Sequence, residues 1–200
     1  MSDAPVTAPR GRPRSGAADA AIVRATLELL VQEGYRALSV EQVARRAGVG
    51  KATIYRRHRD KQELVAAAVR HLHADLRVPE DTGSLRGDFA AVAAQAVTAG
   101  GRTDALTFMP RMLAEASGEP ELHAIFTECL VAPRRRVLAE VLERARARGE
   151  LRPEVDTDVA IDLLAGPMIY RLLIGGMEPP ELAAHAEAIA QAAIEGLRPR

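Results

Sequence analysis

SVEQVARRAGVGKATIYRRHRDK, residues 39–61, is the stretch of this chain that decides its fold. Apolar residues recur at helical spacing over 40–47, and Gly48 follows them, which predicts a short helix ended by this glycine. A second short helix is predicted over 51–58, with Ile54 as its apolar anchor. Two helices joined by a tight glycine-containing turn form a helix-turn-helix unit, whose second helix can enter the major groove of DNA.

The composition indicates a helical globular protein. Of 200 residues, 48% are hydrophobic and 27% charged, but only 3% are aromatic and none is Trp, which favours helices over strands. The single cysteine, Cys129, excludes an internal disulfide and a zinc site built from cysteines, and we interpret it as a small core residue. Because no run of about 18 apolar residues and no hydrophobic signal segment occurs, we expect a cytoplasmic protein with no membrane contact.

The charges are distributed unevenly along the chain, although the net charge is zero. Residues 1–77 hold 14 basic and 8 acidic side chains, whereas residues 78–200 hold 13 basic and 19 acidic ones. Phosphates would attract the first part and repel the second. The helix-turn-helix segment therefore belongs to the part of the chain that is suited to nucleic acid.

Three domains are expected. Residues 1–15 are rich in Pro and Gly and should form a disordered basic arm, in which Arg10, Arg12 and Arg14 either follow a DNA groove or remain a plain basic tail. The DNA-binding domain, 16–62, begins with a helix over 17–33 that Gly34 ends. Asp60 caps a fourth helix, expected to reach about residue 76, which opens a third domain over 63–200.

The remainder of the chain reads as helices over 85–99, 104–116, 120–148, 158–174 and 180–197, and no strand pattern occurs. Pro110 should kink the second of these and Pro133 should break the third, and Thr157 or Asp158 should cap the fourth. The helix over 158–174 is apolar on two faces, so it must bury both. We predict an all-α protein of about nine helices, in which a helical bundle follows the DNA-binding domain and the last two helices pair with a second subunit.

At this point the sequence resembles the TetR/AcrR class of bacterial transcription regulators. The resemblance runs over about 50 residues, through Glu33-Gly34-Tyr35, Ser39–Ala44 and Ala47–Arg57. A weaker likeness, in Arg146–Leu151 and Leu163–Pro167, is to the C-terminal domain of one TetR subgroup. The resemblance implies a homodimer on a pseudo-palindromic operator, released from it when a small-molecule effector enters the C-terminal domain. The chain departs from the family pattern at Gly50, His58 and Arg59, where Ser, an aromatic residue and Pro are usual.

Several residues of the segment 39–61 are predicted to contact DNA: Ser39, Lys51, Ala52, Thr53, Tyr55, Arg56, Arg57 and Lys61. Lys51, Tyr55 and Lys61 are expected at phosphates, as the resemblance implies for Tyr55 and Lys61; the plain alternative is that they are solvated surface residues. Ser39 either only caps the first helix of the unit, over 40–47, or also offers its hydroxyl to a phosphate.

Thr53 and Arg56 are the predicted base readers, because a Thr methyl suits thymine and the Arg fork suits guanine. Arg57 fits either a base or a phosphate. Arg45 and Arg46, late in the first helix of the unit, are interpreted as a solvated face or as favourable charges at a helix end.

The apolar residues proposed for an effector pocket share helical spacing in the C-terminal part, and each fits an ordinary core position equally well: Phe89, Phe108, Met112, Phe126, Met168 and Tyr170. No cofactor is predicted. His71 and His73 are two residues apart and point in different directions on a helix, so no metal site is predicted either.

We expect a ligand-responsive repressor and no enzyme, because neither a catalytic triad nor paired carboxylates nor a phosphate-cradling glycine loop is present. The alternative is an all-helical small-molecule carrier or enzyme that does not bind DNA. An activator, or a regulator without an effector, fits the same residues. The sequence reveals neither the effector nor the operator.

Overall fold

The computed structural model describes residues 14–72, 74–100, 112–176 and 179–199, which are helical or in loops and contain no strand. The all-helical prediction is therefore confirmed. The chain divides into two compact units, Met1–Ala68 and Val69–Arg200. Arg10, Arg12 and Phe108, together with most of the predicted helix over 104–116, lie outside the described residues.

The first unit consists of α1 (Arg14–Ala37), α2 (Val40–Ala47), α3 (Lys51–Tyr55) and the start of α4 (Lys61–His71). Gly34 interrupts α1 with a φ of 84°, a backbone conformation that glycine adopts without strain, so the predicted end of the first helix is confirmed there. The bounds of α2 are those predicted.

Two of these helices are shorter than the sequence predicted. α3 ends at Tyr55 instead of residue 58, because the N–H groups of Arg57 and His58 both bond to the carbonyl of Ile54 and close a turn. α4 ends at His71 instead of near residue 76. The N–H groups of Leu72 and Ala74 bond three residues back, which tightens the chain into turns.

The core of the first unit forms where α1 packs against α2 and α2 against α3. Its largest fully buried side chains come from all four helices and the loops: Ile22, Leu38, Val43, Ile54, Leu64 and Val65. Because α3 has a single turn of helix and Ile54 is 0% exposed, this one side chain anchors α3 to the rest of the unit.

The second unit contains α5 (Leu85–Gly100), a helical stretch at residues 112–116, α6 (Pro120–Phe126), α7 (Ala132–Ala147), α8 (Thr157–Leu173) and α9 (Pro179–Leu197). The predicted cap of α8, Thr157 or Asp158, is wrong. Asp156 caps it, and its carboxylate accepts hydrogen bonds from the N–H groups of Asp158 (2.8 Å) and Val159 (3.1 Å). Among the described residues, no helix is long and apolar enough to cross a membrane.

The predicted interruption at Pro133 takes the form of a π-helical turn, Thr127–Val131, between α6 and α7. The N–H of Ala132 bonds to the carbonyl of Thr127, five residues back, instead of four as in an α-helix. Pro133 has no N–H to donate, so the wider turn lets the chain pass the proline and continue as α7.

The core of the second unit is formed by α5, α7, α8 and α9 together with Leu151: Leu85, Leu138, Val141, Leu142, Ala145, Leu151, Ala160, Ile161, Leu164, Ile194 and Leu197. Beside it, Arg148 binds three carboxylates, those of Asp81 (2.7 Å), Asp88 (2.9 Å) and Glu150 (2.5 Å). Burial of Asp88 would raise its pKa, but hydrogen bonds from the N–H and hydroxyl of Thr82 and from Arg148 outweigh it. The pKa of Asp88 therefore lies below the ordinary value.

Candidate nucleic-acid interface

The turn between α2 and α3 is built by caps at both ends of α2. The N–H of Gln42 donates to the Ser39 hydroxyl (3.3 Å), and the Gln42 side-chain oxygen accepts from the N–H of Ser39 (2.7 Å). At the other end, Gly48 is left-handed, with a φ of 67°, and its N–H bonds back into α2. The capping role predicted for Ser39 is present. Its partner Gln42, which the Ser-x-x-Gln spacing could have revealed, was missed.

α3 and the residue that follows it expose several side chains to solvent, while Ile54 is buried. Lys51, Ala52, Tyr55 and Arg56 are exposed, and Tyr55 is 50% exposed despite its aromatic ring. Thr53 is half-buried. An exposed aromatic side chain beside basic ones, on a short helix held by one core residue, is suited to contact with a nucleic acid.

The side chain of Arg56 has no hydrogen-bond or ion-pair partner within the described part of the chain, and the same is true of the side chains of Tyr55 and Arg45. Their donor groups are therefore available to a ligand without breaking an existing contact. Arg46 differs, because it donates to Glu28 (3.2 Å) and to Gln32 of α1. The sequence did not distinguish Arg45 from Arg46.

Lys51, at the first position of α3, forms an ion pair with Glu41 in the first turn of α2. The hydrogen bond from Lys51 is the main reason why the pKa of Glu41 lies below its ordinary value. Both side chains are about half exposed, so the pair lies at the surface. Sequence analysis did not identify this contact, since Glu41 and Lys51 are ten positions apart and lie on either side of a turn.

Arg57 is directed back into the first unit. Its Nε lies 2.5 Å from a carboxylate oxygen of Asp19 in α1, and its Nη1 donates to the carbonyl of Thr53 at 3.1 Å. Only 21% of the Arg57 side chain is exposed. This geometry fixes the C-terminal end of α3 against α1, a role that sequence analysis did not assign.

Lys61 also holds backbone in place. Its Nζ donates to the carbonyl of Tyr35 at 2.9 Å and lies 4.4 Å from the centre of the Tyr35 ring, a cation–π distance. An ammonium group has further donors, so the same residue can still reach a phosphate. The contact ties the start of α4 to the segment that follows Gly34.

The positions that depart from the family pattern lie around α3. Gly50 is the N-cap of α3 and supplies no side-chain hydrogen bond. His58 is half-buried at the end of the turn. After it, the Glu63 carboxylate accepts from the N–H of Arg59 (2.7 Å), and the N–H of Glu63 donates to Asp60 (2.7 Å). The predicted cap at Asp60 is present, and it fixes the junction between α3 and α4.

The predicted pocket residues that the structure describes differ in burial. Met112 and Phe126 are buried, Met168 is half-buried, and Phe89 packs against the core. Tyr170 is 63% exposed, and it lines an open groove of about 430 Å³ on α8 with Gly166, Pro167, Arg171 and Gly175. The residues that the structure describes contain no His, Cys, Asp and Glu cluster able to hold a metal ion.

Two protein-family models match most of this chain. The family model for bacterial regulatory proteins of the tetR family matches residues 22–68, and the model for tetracyclin repressor-like C-terminal domains matches residues 79–193. HTH-type transcriptional regulator YdeS of Bacillus subtilis (strain 168) is 32% identical over 84% of this chain and 85% of its own length. The DNA-binding transcriptional repressor TetR of Mycobacteroides abscessus is 31% identical over 84% and 86% of the two chains.

The crystal structure of the TetR family transcription regulator SCO0332 superposes with a TM-score of 0.67 and 31% identity, covering 91% of this chain and 99% of the other. The two family models together span most of the sequence. The first covers the helix-turn-helix and the second covers most of the helical part that follows it. The chain therefore belongs to the TetR family, and it is a DNA-binding regulator of transcription.

Proposed function

We propose that this chain is a homodimeric repressor, and not an enzyme, which binds a pseudo-palindromic operator and leaves it when a small-molecule effector binds. The observation that carries the proposal is the geometry of α3. Ile54 anchors this helix, while the side chains of Tyr55 and Arg56 are exposed and have no partner in the described chain. Repression is favoured because one relative at 31% identity is named a repressor.

Within a DNA-binding domain over residues 16–62, α3 is the recognition helix. Arg56 is the principal base reader, because its fork of donors is exposed and unengaged in the described chain and matches the two acceptors of guanine. Thr53 and Ala52 offer small apolar contacts to thymine methyl groups. Tyr55, Lys51, Lys61 and Ser39 contact phosphates and set the register.

Arg57 takes a different part in the proposal. Its contacts with Asp19 and the Thr53 carbonyl already engage the guanidinium, so direct contact with a base would cost these bonds. We therefore assign Arg57 the positioning of α3.

The dimer interface is proposed on α8 and α9. Four apolar side chains on one face of α8 are exposed in the monomer: Val159 (52%), Leu163 (45%), Tyr170 (63%) and Ile174 (73%). They recur at intervals of four, seven and four residues, so they form one continuous stripe along the helix. A contiguous exposed apolar stripe is typical of an interface, and a two-fold axis would bury both copies at once.

The effector is proposed to bind in the second unit near Met112, Phe126 and Met168, which are apolar and at least half-buried. A thermal-shift screen of apolar and cationic small molecules tests for it, because a ligand of the folded state raises the melting temperature.

The DNA-binding assignment is tested by footprinting on the DNA that flanks the protein's own gene, followed by affinity measurements on the protected site. Arg56→Ala should weaken operator binding by about 1–3 kcal/mol and relax the preference at one base position. Tyr55→Phe should weaken binding by about 1 kcal/mol on every sequence, because it removes one hydroxyl donor.

Arg24→Ala is the matched control, since Arg24 is an exposed arginine of α1 with no partner in the described chain and no assigned DNA contact. Equal losses from Arg56→Ala and Arg24→Ala would show that only the total charge matters. A wild-type protein that binds no DNA would favour the carrier alternative.

A further inference from the structure

We propose that Glu41 determines how strongly the protein discriminates its operator from other DNA, by pairing with Lys51 at the surface that faces the phosphates. The proposal rests on the proposed function in one respect, namely that α3 enters the major groove with Lys51 near the backbone. It concerns a carboxylate that belongs neither to the capping box of α2 nor to the core.

Glu41 is not part of the capping box of α2, although its carboxylate also accepts a hydrogen bond from its own backbone N–H. Ser39 and Gln42 form both hydrogen bonds of the capping box. The backbone N–H groups of these two residues therefore have partners other than Glu41. Glu41 follows in the first turn, about half exposed, and its carboxylate reaches across the Gly48–Gly50 turn to the ammonium of Lys51. The carboxylate thus belongs to the α3 surface although it is part of α2.

The position of the pair decides its effect on DNA binding. Lys51 has an exposed side chain at the N-terminal end of α3, where a lysine is expected to meet a phosphate. While Lys51 is paired with Glu41, the pair contributes no net positive charge. If Lys51 leaves the pair to contact a phosphate, the negative carboxylate of Glu41 remains close to the negatively charged DNA. Each contact of Lys51 with DNA therefore costs an ion pair and adds a repulsion.

This cost falls mainly on binding to DNA of arbitrary sequence. Such binding depends almost entirely on phosphate neutralisation, whereas the operator complex also has base contacts that compensate for the lost pair. A built-in acidic group therefore lowers non-specific affinity more than specific affinity. The carboxylate therefore raises the ratio of operator affinity to non-specific affinity. This ratio determines how well the protein finds its operator among the other sites on the DNA.

Two other ion pairs of the unit have a different geometry. Arg46–Glu28 and Arg57–Asp19 each join α1 to the helix-turn-helix and hold the helices together. Lys51–Glu41 joins only the two helices of the turn, which the caps and Ile54 already fix. Glu28 therefore provides a matched control, since Glu28→Gln removes the same charge from the same unit.

The experiment measures binding of wild type, Glu41→Gln and Glu28→Gln to the operator and to a scrambled duplex over a range of salt concentrations. For Glu41→Gln we expect non-specific affinity to rise about two- to tenfold, with a smaller change at the operator. The slope of log affinity against log salt on scrambled DNA should steepen by about 0.9, equivalent to one additional phosphate contact. Glu28→Gln should leave the slope near that of wild type.

A double-mutant cycle with Lys51→Ala separates action through Lys51 from general repulsion. In the Lys51→Ala background, Glu41→Gln should no longer steepen the salt dependence. An equal effect of Glu41→Gln with and without Lys51, or no effect in either background, would overturn the inference. Misfolding cannot mimic the expected result, because a damaged domain loses affinity and does not gain it.

The two proposals fail in distinguishable ways. If wild-type protein binds neither duplex, the proposed function is wrong. If it binds its operator and Glu41→Gln behaves like wild type, only the role of Glu41 is wrong.

Discussion

Replacing Leu163 by glutamate tests the proposed dimer interface at the centre of the α8 stripe. Full burial of a leucine contributes about 1.5–3 kcal/mol, and Leu163 is 45% exposed, so its exposed part can contribute about 0.7–1.4 kcal/mol. A two-fold axis places the change in both subunits, which doubles the loss to about 1.4–2.7 kcal/mol. The dimer dissociation constant should therefore rise about tenfold to a hundredfold, and burial of the new carboxylates would add to this.

Analytical ultracentrifugation or light scattering across nanomolar to micromolar concentrations measures this constant. Ile169→Glu is the control: Ile169 is 37% exposed on the same helix, but lies about 100° around the helix from the stripe. Thermal melts should show both variants folded, since neither side chain is in the core. An unchanged dimer constant in Leu163→Glu, or an equal loss in Ile169→Glu, would refute the assignment of the stripe.

Two further predictions concern stability and positioning. Asp88→Asn should destabilise the protein by about 1–3 kcal/mol at neutral pH, because the buried carboxylate that accepts from Arg148 is lost. The pKa of Asp88 is lower in the folded state than in the unfolded chain, so this stabilisation is complete above about pH 4 and disappears as pH falls through the folded value. Melting temperatures of wild type and variant should converge in acid, and a constant gap would contradict the ion-pair account. Asp19→Asn should cost about 1 kcal/mol of stability, because it removes the carboxylate that pairs with Arg57. Since Arg57 positions α3, binding to operator and to scrambled DNA should weaken alike. If mutagenesis of the operator showed a loss at one base position only, Arg57 would be a base reader instead.

The sequence predicts an element well where local chemistry alone determines its ends. α2 has the predicted bounds because a serine cap begins it and a left-handed glycine ends it. The break at Pro133 was visible for the same reason, since a missing N–H is a property of the residue itself.

Prediction failed where contacts between distant segments determine the structure. No glycine or proline marks the end of α4 at His71, and beyond it the N–H of Arg77 bonds to the side chain of Gln95 on α5. The cap of α8 could not be chosen among three successive polar residues without the backbone conformation.

The candidate site shows the same division. The sequence identifies α3 and its exposed donors, because residue types and one apolar anchor suffice for that. It does not show which donors are already engaged, since Glu41, Asp19 and Glu28 meet their partners across turns and between helices. The structure separates the unengaged Arg56 from Arg57, although the two are adjacent and chemically identical.

The π turn at Thr127–Val131 changes the spacing of buried residues along the second unit. A hydrogen bond that spans five residues accommodates one more residue per turn than an α-helix does, so the two flanking helices keep their buried faces aligned although their sequence phases differ. Heptad-like spacing that is continued across this turn misplaces the later side chains by about 100° around the helix. In an alignment of this chain with its relatives, we expect a single-residue gap to be tolerated best inside this turn, ahead of Pro133. A gap there changes the turn and leaves the buried faces of both helices unchanged.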